Sequence, residues 1–324
     1  MATNVVTSQA QTQTPPLEFR HDMTPMVKNI LLCTDFSAVS AIATKVAMDL
    51  CKQTGAALRV LHVCEYGSQA SLAGSEATYL AEEMQREEKC LSEVVNRVRT
   101  EGIAVDVSTE VGHPPVAIVE FIASHCPDLA IVGTSGISGL ERMMFGSTAE
   151  AVFRRAICPV IIVGPRVSAT RYRQGPVVFA TDFHEPAKQA AQYACALASV
   201  NVSQLHCLHV LPLSVENEGK DGIHASIMKE ALHQVAGDPH FCEAQRVYNV
   251  VYDSEVSHAV VDYAKEHGAS FLVLGVRRGP MLSSHLPPHL TYRMIATAPC
   301  PVLTVSMEAA RRAAKADSSA KAVS

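Results

Sequence analysis

A run of glycine and hydroxyl residues between positions 133 and 148 has the composition of a phosphate-binding loop. It contains Gly133, Gly136 and Gly146, and the last of these is followed directly by Ser147 and Thr148. Glycines let backbone amides approach a phosphate, and a helix N-terminus adds unsatisfied amides with a partial positive charge. The run therefore predicts a phosphate-bearing ligand, although its spacing also fits a glycine-rich turn in which Ser147 caps a helix.

Two other nucleotide-binding signatures are missing from the sequence. The run has no Gly-Lys-Ser/Thr and so is not a Walker A loop, and residues 34–37, which follow the first apolar run, lack Gly-x-Gly-x-x-Gly. A nicotinamide-dependent dehydrogenase is therefore disfavoured. No evident general base, phosphate-binding lysine or pair of carboxylates accompanies the run, and efficient phosphoryl transfer needs such groups. The sequence thus predicts no catalytic residues and, at most, weak ATP hydrolysis.

The elements that would position this loop occur twice along the chain. Four ordered pairs of segments match, and one net deletion of five residues reconciles their offsets, so we interpret the chain as a tandem duplication. The matched segments are 29–36 with 176–183 and 61–63 with 208–210, each 147 residues apart, and 131–133 with 274–275 and 156–160 with 298–302, each 142 residues apart.

Each half alternates short, continuous apolar runs with longer amphipathic stretches, which predicts an α/β fold with a parallel sheet of buried strands. Ser37 is suited to cap the first helix, and Gly55 is suited to end it. The predicted strands are 30–33, 58–63, 105–109, 129–132 and 160–163 in the first half and 177–180, 204–210, 247–252, 271–274 and 302–305 in the second. Predicted helices of the first half lie near 38–53, 75–100, 114–125 and 148–156.

Composition limits the function classes and the domain plan. The 324 residues carry a formal charge of −5, and the ten cysteines form no Cys-x-x-Cys. These features favour a cytoplasmic protein with reduced thiols and disfavour nucleic-acid and membrane binding. We divide the chain into a disordered segment (1–25), a first domain (26–164), a linker (165–175), a second domain (176–306) and a tail (307–324).

The glycine spacing together with the strand ends resembles a known family. Gly133-x2-Gly136-x9-Gly146-Ser147 is similar to the ATP-binding signature of universal stress proteins. Thr-Asp-Phe-Ser after the first strand, Leu-His-Val in the second and Cys-Pro-Val at the last resemble the same family. The resemblance covers residues 25–164 and again 174–306, so the chain resembles a tandem universal stress protein of the UspA type.

This resemblance implies a doubly wound five-stranded sheet of order 3-2-1-4-5 in each half, with helices on both faces. A ligand crevice would then open between the first and fourth strands. By resemblance, the ligand is ATP, alone or with Mg²⁺; Asp35 contacts the adenosine and Val63 offers backbone contacts to adenine. The ribose and phosphates would be held by Gly133, Gly136, Gly146, Ser147 and Thr148. From the residues alone, Asp35 is also a candidate helix-capping carboxylate.

The second half departs from the signature. Arg278 stands in place of Gly136, Pro288 in place of Gly146 and His289 in place of Ser147. Proline has no amide hydrogen to give, although the paired Arg277 and Arg278 could still attract an anion. We therefore predict one competent nucleotide site, in the first domain, and a degenerate one in the second.

The functional hypothesis is an ATP-binding stress-response protein that works through nucleotide-dependent conformation or an unidentified protein partner. The alternatives are an ATP-hydrolysing or adenylating enzyme of the same broad fold and a scaffold without nucleotide binding. No metal site is predicted: His206 and His209 would point to opposite faces of a strand, and His62 and His209, at repeated strand ends, are expected to be structural. The last strands of the two halves are expected to pair as an intrachain pseudo-dimer, and two chains could pair further.

Overall fold

The structure is a computed structural model, and it describes residues 27–65, 75–134, 146–170, 175–214, 222–237, 244–277 and 288–312. The predicted disordered segment 1–25 and Gly136 lie outside these residues. The first half contains β1 (Asn29–Cys33), α1 (Ala38–Thr54), β2 (Ala57–Cys64), α2 (Ser75–Thr100), β3 (Val105–Val111), α3 (Pro114–His125), β4 (Leu129–Gly133), α4 (Ser147–Arg155) and β5 (Val160–Val163). The second contains β6 (Val177–Ala180), α5 (Ala187–Val200), β7 (Leu205–Leu211), α6 (Ile223–Ala236), β8 (Arg246–Tyr252), α7 (Val256–Glu266), β9 (Phe271–Val276), α8 (Pro288–Thr297) and β10 (Val302–Ser306).

All ten strands belong to one sheet, in the order β3-β2-β1-β4-β5-β10-β9-β6-β7-β8. Each half therefore has the predicted order 3-2-1-4-5 and is parallel within itself. The α/β fold class and the duplication of one topology are confirmed.

The helices cover both faces of this sheet because successive strand side chains point to opposite sides. Ile30 and Leu32 pack in a core with α1, α2, α5 and α6. Leu31 and Cys33 pack in a second core with α3, α4, α7 and α8. The helix that follows β1 and the helix that follows β4 thus leave the sheet on opposite faces.

Local signals in the sequence fix the ends of α1 as predicted. The Ser37 hydroxyl accepts a hydrogen bond from the Ser40 amide, and Gly55 adopts the left-handed conformation (φ 72°) while its amide donates to the Cys51 carbonyl. One expectation was wrong: β3 is not a buried strand, and most of its side chains are exposed or half-buried. The reason is its place at the edge of the sheet, where fewer elements cover it.

The two halves join through their last strands, as predicted. β5 and β10 pair antiparallel, with Leu303 opposite Ile161. The Tyr292 hydroxyl of α8 donates to the Glu150 carboxylate of α4 at 3.1 Å.

Residues 307–312 of the predicted tail are helical. None of the helices in the described part of the chain is long and apolar enough to cross a membrane.

Candidate functional site

The carboxyl ends of β1 and β4 form a crevice in the first half. The two strands are neighbours, with Cys33 level with Val132, so Thr34 and Gly133 come next at the same edge of the sheet. Because α1 and α4 leave on opposite faces, neither of these two helices crosses the space above the strand ends. A crevice of this kind is where open α/β sheets bind ligands.

The loop after β1 is built by its own side chains. The Asp35 carboxylate accepts a hydrogen bond from the Ser37 amide at 3.0 Å, whereas the cap of α1 is the Ser37 hydroxyl. The interpretation of Asp35 as the helix cap is therefore wrong. Its exposed carboxylate closes a tight turn at the rim of the crevice.

Ser40 supports this loop from below, and the sequence pattern did not indicate it. Its buried hydroxyl shares a 2.8 Å hydrogen bond with the Thr34 hydroxyl and accepts from the Asp35 amide at 3.3 Å. Thr34 also accepts from the Phe36 amide at 3.2 Å, and Phe36 has a positive φ of 61°. The site-forming loop is thus held by a hydroxyl on the first turn of α1.

Gly133 is required by packing at the end of β4. A Cβ at this position would lie 3.1 Å from the Ser40 amide nitrogen and 3.3 Å from the Val39 carbonyl carbon. The backbones of β4 and α1 therefore approach more closely than a side chain allows. Val63, near the end of β2, keeps its side chain in the core at 8% exposure, which leaves chiefly its backbone for contacts.

The N-terminus of α4 carries no side-chain cap. Gly146 is the N-cap residue and has no side chain that could accept from the first-turn amides, and the helix begins at Ser147. The interpretation of Ser147 as the cap is therefore wrong. Ser147 is exposed and Thr148 half-buried, so the first turn of α4 has amide and hydroxyl donors to offer to an anion.

The second half repeats the loop but not its support. The Asp182 carboxylate accepts from the His184 amide at 3.1 Å, and Phe183 again has a positive φ, of 65°. Ala187, however, stands at the position of Ser40 and offers no hydroxyl. At Gly275, the counterpart of Gly133, an added Cβ would make only ordinary contacts of 3.5 Å.

The far side of the second crevice differs as well. The helix α8 begins at Pro288, which has no amide hydrogen. Arg277, which follows β9, has a buried Nη2 that makes no hydrogen bond to any residue in the described part of the chain. The second half therefore has an arginine after β9 and a proline without an amide hydrogen at the start of α8. The first half has Gly146, Ser147 and Thr148 at the start of α4.

Two buried thiols, those of Cys33 and Cys300, and the two histidines of β7 have structural surroundings. Burial, with a smaller contribution from Cys158, raises the pKa of the Cys33 thiol, and burial raises that of Cys300 to about 12. His206 donates or accepts at 2.9 Å with the Tyr263 hydroxyl, while His209 Nδ1 donates to the Thr181 carbonyl at 2.8 Å. The two histidines of β7 therefore have separate hydrogen-bond partners.

Comparison with known proteins supports the resemblance over most of the chain. The model of the universal stress protein family matches residues 26–164 and again residues 175–306. A universal stress protein of Methanocaldococcus jannaschii is 33% identical over 140 residues, which are 43% of this chain and 82% of the relative. A universal stress protein of Bacillus subtilis is 31% identical over 153 residues, covering 43% of this chain and 99% of the relative.

Solved structures share the whole two-domain fold. A universal stress protein from Archaeoglobus fulgidus superposes with a TM-score of 0.64 at 21% identity, covering 86% of this chain and 98% of that one. A structure from Pseudomonas aeruginosa gives a TM-score of 0.59 at 17% identity, covering 91% and 100%. At these identities the likeness concerns the fold.

Proposed function

The chain belongs to the universal stress protein family, and we propose that its first domain binds ATP in the crevice between β1 and β4. The observation that carries this proposal is the uncapped N-terminus of α4, which follows a glycine-rich loop beside the site where strand order reverses. A triphosphate supplies the negative charge and the acceptor oxygens that such a helix end favours.

In this proposal each part of the crevice has a role. Asp35 contacts the adenosine, and Val63 offers its backbone to adenine. The ribose and phosphates are held by Gly133, Gly136, Gly146, Ser147 and Thr148, with Mg²⁺ as a possible companion of the phosphates. Gly133 also has a packing role, because its lack of a side chain lets β4 approach α1 closely.

We propose regulation rather than catalysis as the use of this binding. Residues 133–148 contain no lysine, and phosphate held by amides and hydroxyls is positioned without being activated for transfer. Bound ATP would contact the residues that follow β4 and so bias the surface that a partner meets. The described cysteines are free thiols, which suits a cytoplasmic protein acting in the stress response.

We further propose that the second domain, residues 176–306, joined by a linker at 165–175, does not bind ATP. Pro288 removes an amide and Arg278 places a side chain where the signature has glycine. This domain would then serve as the permanent partner of the first, through β5 and β10.

The test imposes the second domain's residue on the first. Gly146 has φ −59°, which proline adopts without strain, so Gly146→Pro removes an amide while the helix is kept. A charge-assisted hydrogen bond contributes about 1.5–3 kcal/mol, so ATP affinity should fall about 10- to 100-fold. The control is His289→Ala in the second domain, one residue after Pro288, which is the counterpart of Gly146. It should leave the affinity unchanged.

The measurement is calorimetric titration of the full chain with Mg-ATP. Unchanged affinity in Gly146→Pro, or equal losses in both variants, would contradict the proposed site. If the wild-type chain takes up no ATP at millimolar concentration, the first domain is a scaffold and the proposed function fails.

A further inference from the structure

Three side chains with metal-ligating atoms meet beneath the first crevice. His62 and Cys64 end β2, and Glu87 reaches them from α2; one ligand atom of each lies within 4.8 Å of the other two. His62 and Cys64 are two positions apart on a strand and so point to the same face. The helix α2 covers that face, since Leu91 and Val94 pack against the core there.

The orientation of the His62 ring leaves one nitrogen facing this cluster. Its Nδ1 lies 2.9 Å from the Thr34 carbonyl oxygen, which can only accept, so Nδ1 carries the hydrogen. Nε2 then lies 3.5 Å from a carboxylate oxygen of Glu87. It makes no hydrogen bond to any residue that the structure describes, although the side chain is only 7% exposed.

A buried imidazole nitrogen that faces a carboxylate oxygen is stable only when a cation lies between the two. That cation is either a proton on the ring or a metal ion. In a neutral ring whose hydrogen is on Nδ1, Nε2 carries a lone pair. A lone pair that faces a carboxylate oxygen is repelled by it, which is unfavourable. Metal-bound histidines commonly donate their other ring N–H to a backbone carbonyl, which fixes the tautomer. His62 has this arrangement, and Phe36 packs against its ring with centroids 4.4 Å apart.

We propose that His62, Cys64 and Glu87 bind a zinc ion. Nitrogen, sulfur and carboxylate oxygen are the ligands that zinc takes, at about 2.0–2.3 Å, whereas Mg²⁺ and Ca²⁺ prefer oxygen alone. Tetrahedral geometry with those bond lengths places the ligand atoms about 3.3–3.8 Å apart. Small side-chain rotations reach that spacing, and a water or a ligand group takes the fourth position.

The second domain provides the internal contrast. His209 repeats the bond to a threonine carbonyl and the contact with a phenylalanine ring, at 2.8 Å and 4.6 Å between centroids. At the position of Cys64, however, it has Leu211, which cannot bind a metal. The duplicated histidine is therefore a structural feature in both domains, and only the first adds ligands to it.

Zinc here would join β1, β2 and α2 at the base of the crevice. The ligands are separate from the residues proposed to hold ATP, although Val63 lies between two of them. Zinc binding and ATP binding can therefore succeed or fail independently in experiment.

The test uses the full chain, reduced and freed of metal with a chelator. Zinc affinity is measured by competition with a chromophoric chelator, and Co²⁺ is then added as a spectroscopic substitute. We expect one tight equivalent of zinc and a thiolate-to-cobalt charge-transfer band. Cys64→Ser should abolish that band, and Glu87→Gln should weaken zinc binding by more than about 10-fold, since even supporting contacts are worth 10- to 100-fold.

Matched controls separate this site from adventitious binding. Cys126→Ser removes an exposed thiol, and Glu88→Gln changes the exposed neighbour of Glu87; both should leave affinity and spectrum unchanged. Glu87→Gln changes a half-buried position on a helix. It therefore still tests zinc binding if the Cys64→Ser variant fails to fold. Absence of tight zinc binding, a cobalt spectrum without the thiolate band, or equal losses in the controls would overturn the proposal.

Discussion

The two halves of this chain share the turn that follows their first strand and differ in the residues around it. Both keep the Thr-Asp-Phe turn with its positive φ and the bond from a histidine to the threonine carbonyl. The first adds the Ser40 hydroxyl, a tightly enclosed Gly133 and an uncapped α4. The second has Ala187, a loosely enclosed Gly275 and Pro288. Duplication has thus retained the turn and its histidine contact, while the residues around the strand ends have diverged in the support of the loop, in backbone packing and at the start of the helix.

The sharpest structural difference between the halves lies where they join. A Cβ on Gly164 would lie 2.3 Å from the Ile295 carbonyl oxygen, whereas its counterpart, Ser306, only accepts from the Ala309 amide at 3.2 Å. Gly164→Ala should therefore force β5 and α8 apart and cost about 3 kcal/mol. Ser306→Ala should cost about 1 kcal/mol. Urea unfolding followed by circular dichroism measures both, and equal effects would contradict the asymmetry.

The paired glycines at the crevices should respond with opposite signs. Gly133→Ala brings a Cβ against the backbone of α1 at 3.1 Å and should lower the free energy of unfolding by about 1–3 kcal/mol. Gly275→Ala makes only 3.5 Å contacts, so it should be neutral or stabilise by up to about 1 kcal/mol through the unfolded state. The same denaturation series measures the pair. Destabilisation by Gly275→Ala as large as that by Gly133→Ala would show that the second crevice is equally tight.

The Ser40 hydroxyl gives a smaller test of the same contrast. Ser40→Ala leaves the Thr34 hydroxyl without its 2.8 Å partner and should destabilise by about 1 kcal/mol. It also installs the residue that the second domain already has at this position. Loss of amide protection at Asp35 in hydrogen exchange, with α5 unaffected, would localise the effect. An unaltered exchange pattern would remove Ser40 as the support of the loop.

The smallest expected effect is a pH dependence contributed by the second domain. Burial, and next the nearby His267, lower the pKa of His206, and burial lowers that of His209. The unfolded chain therefore takes up protons first as the pH falls below about 6.5, so stability should decrease on acidification through that range. Replacing both histidines by glutamine should flatten this slope between neutral pH and pH values near 5.

An exposed histidine serves as the control for that measurement. His113→Gln changes an exposed side chain at the start of α3 and should leave the slope as in the wild type. A slope that survives the double substitution would assign the pH dependence to other groups.

Local and repeated signals in the sequence were sufficient for the succession of strands and helices, whereas the strand order was implied by the family resemblance. Strand runs such as Leu58–Val63, the Ser37 cap and the two Thr-Asp-Phe turns each depend on neighbours in the chain. The exposure of β3 could not be predicted in this way, since an edge position is decided by the order of the whole sheet. The apolar run Val105–Thr109 does not reveal that it lies at an edge, and it was therefore expected to be buried.

The site was only partly predictable from the sequence. The glycine spacing indicated Gly133, Gly146 and Ser147, yet the packing role of Gly133 depends on how closely α1 approaches β4. Glu87 could not be linked to His62, because it lies 25 residues further along and reaches it only when α2 folds over the sheet. No short sequence motif contains such a contact.

The most direct test of the account is the number of ATP molecules that the full chain binds. Calorimetric titration with Mg-ATP should saturate at one equivalent per chain, and Gly146→Pro should weaken that binding event. Two equivalent sites, or a single site that Gly146→Pro leaves intact, would contradict the claim that the first domain alone has kept a working crevice.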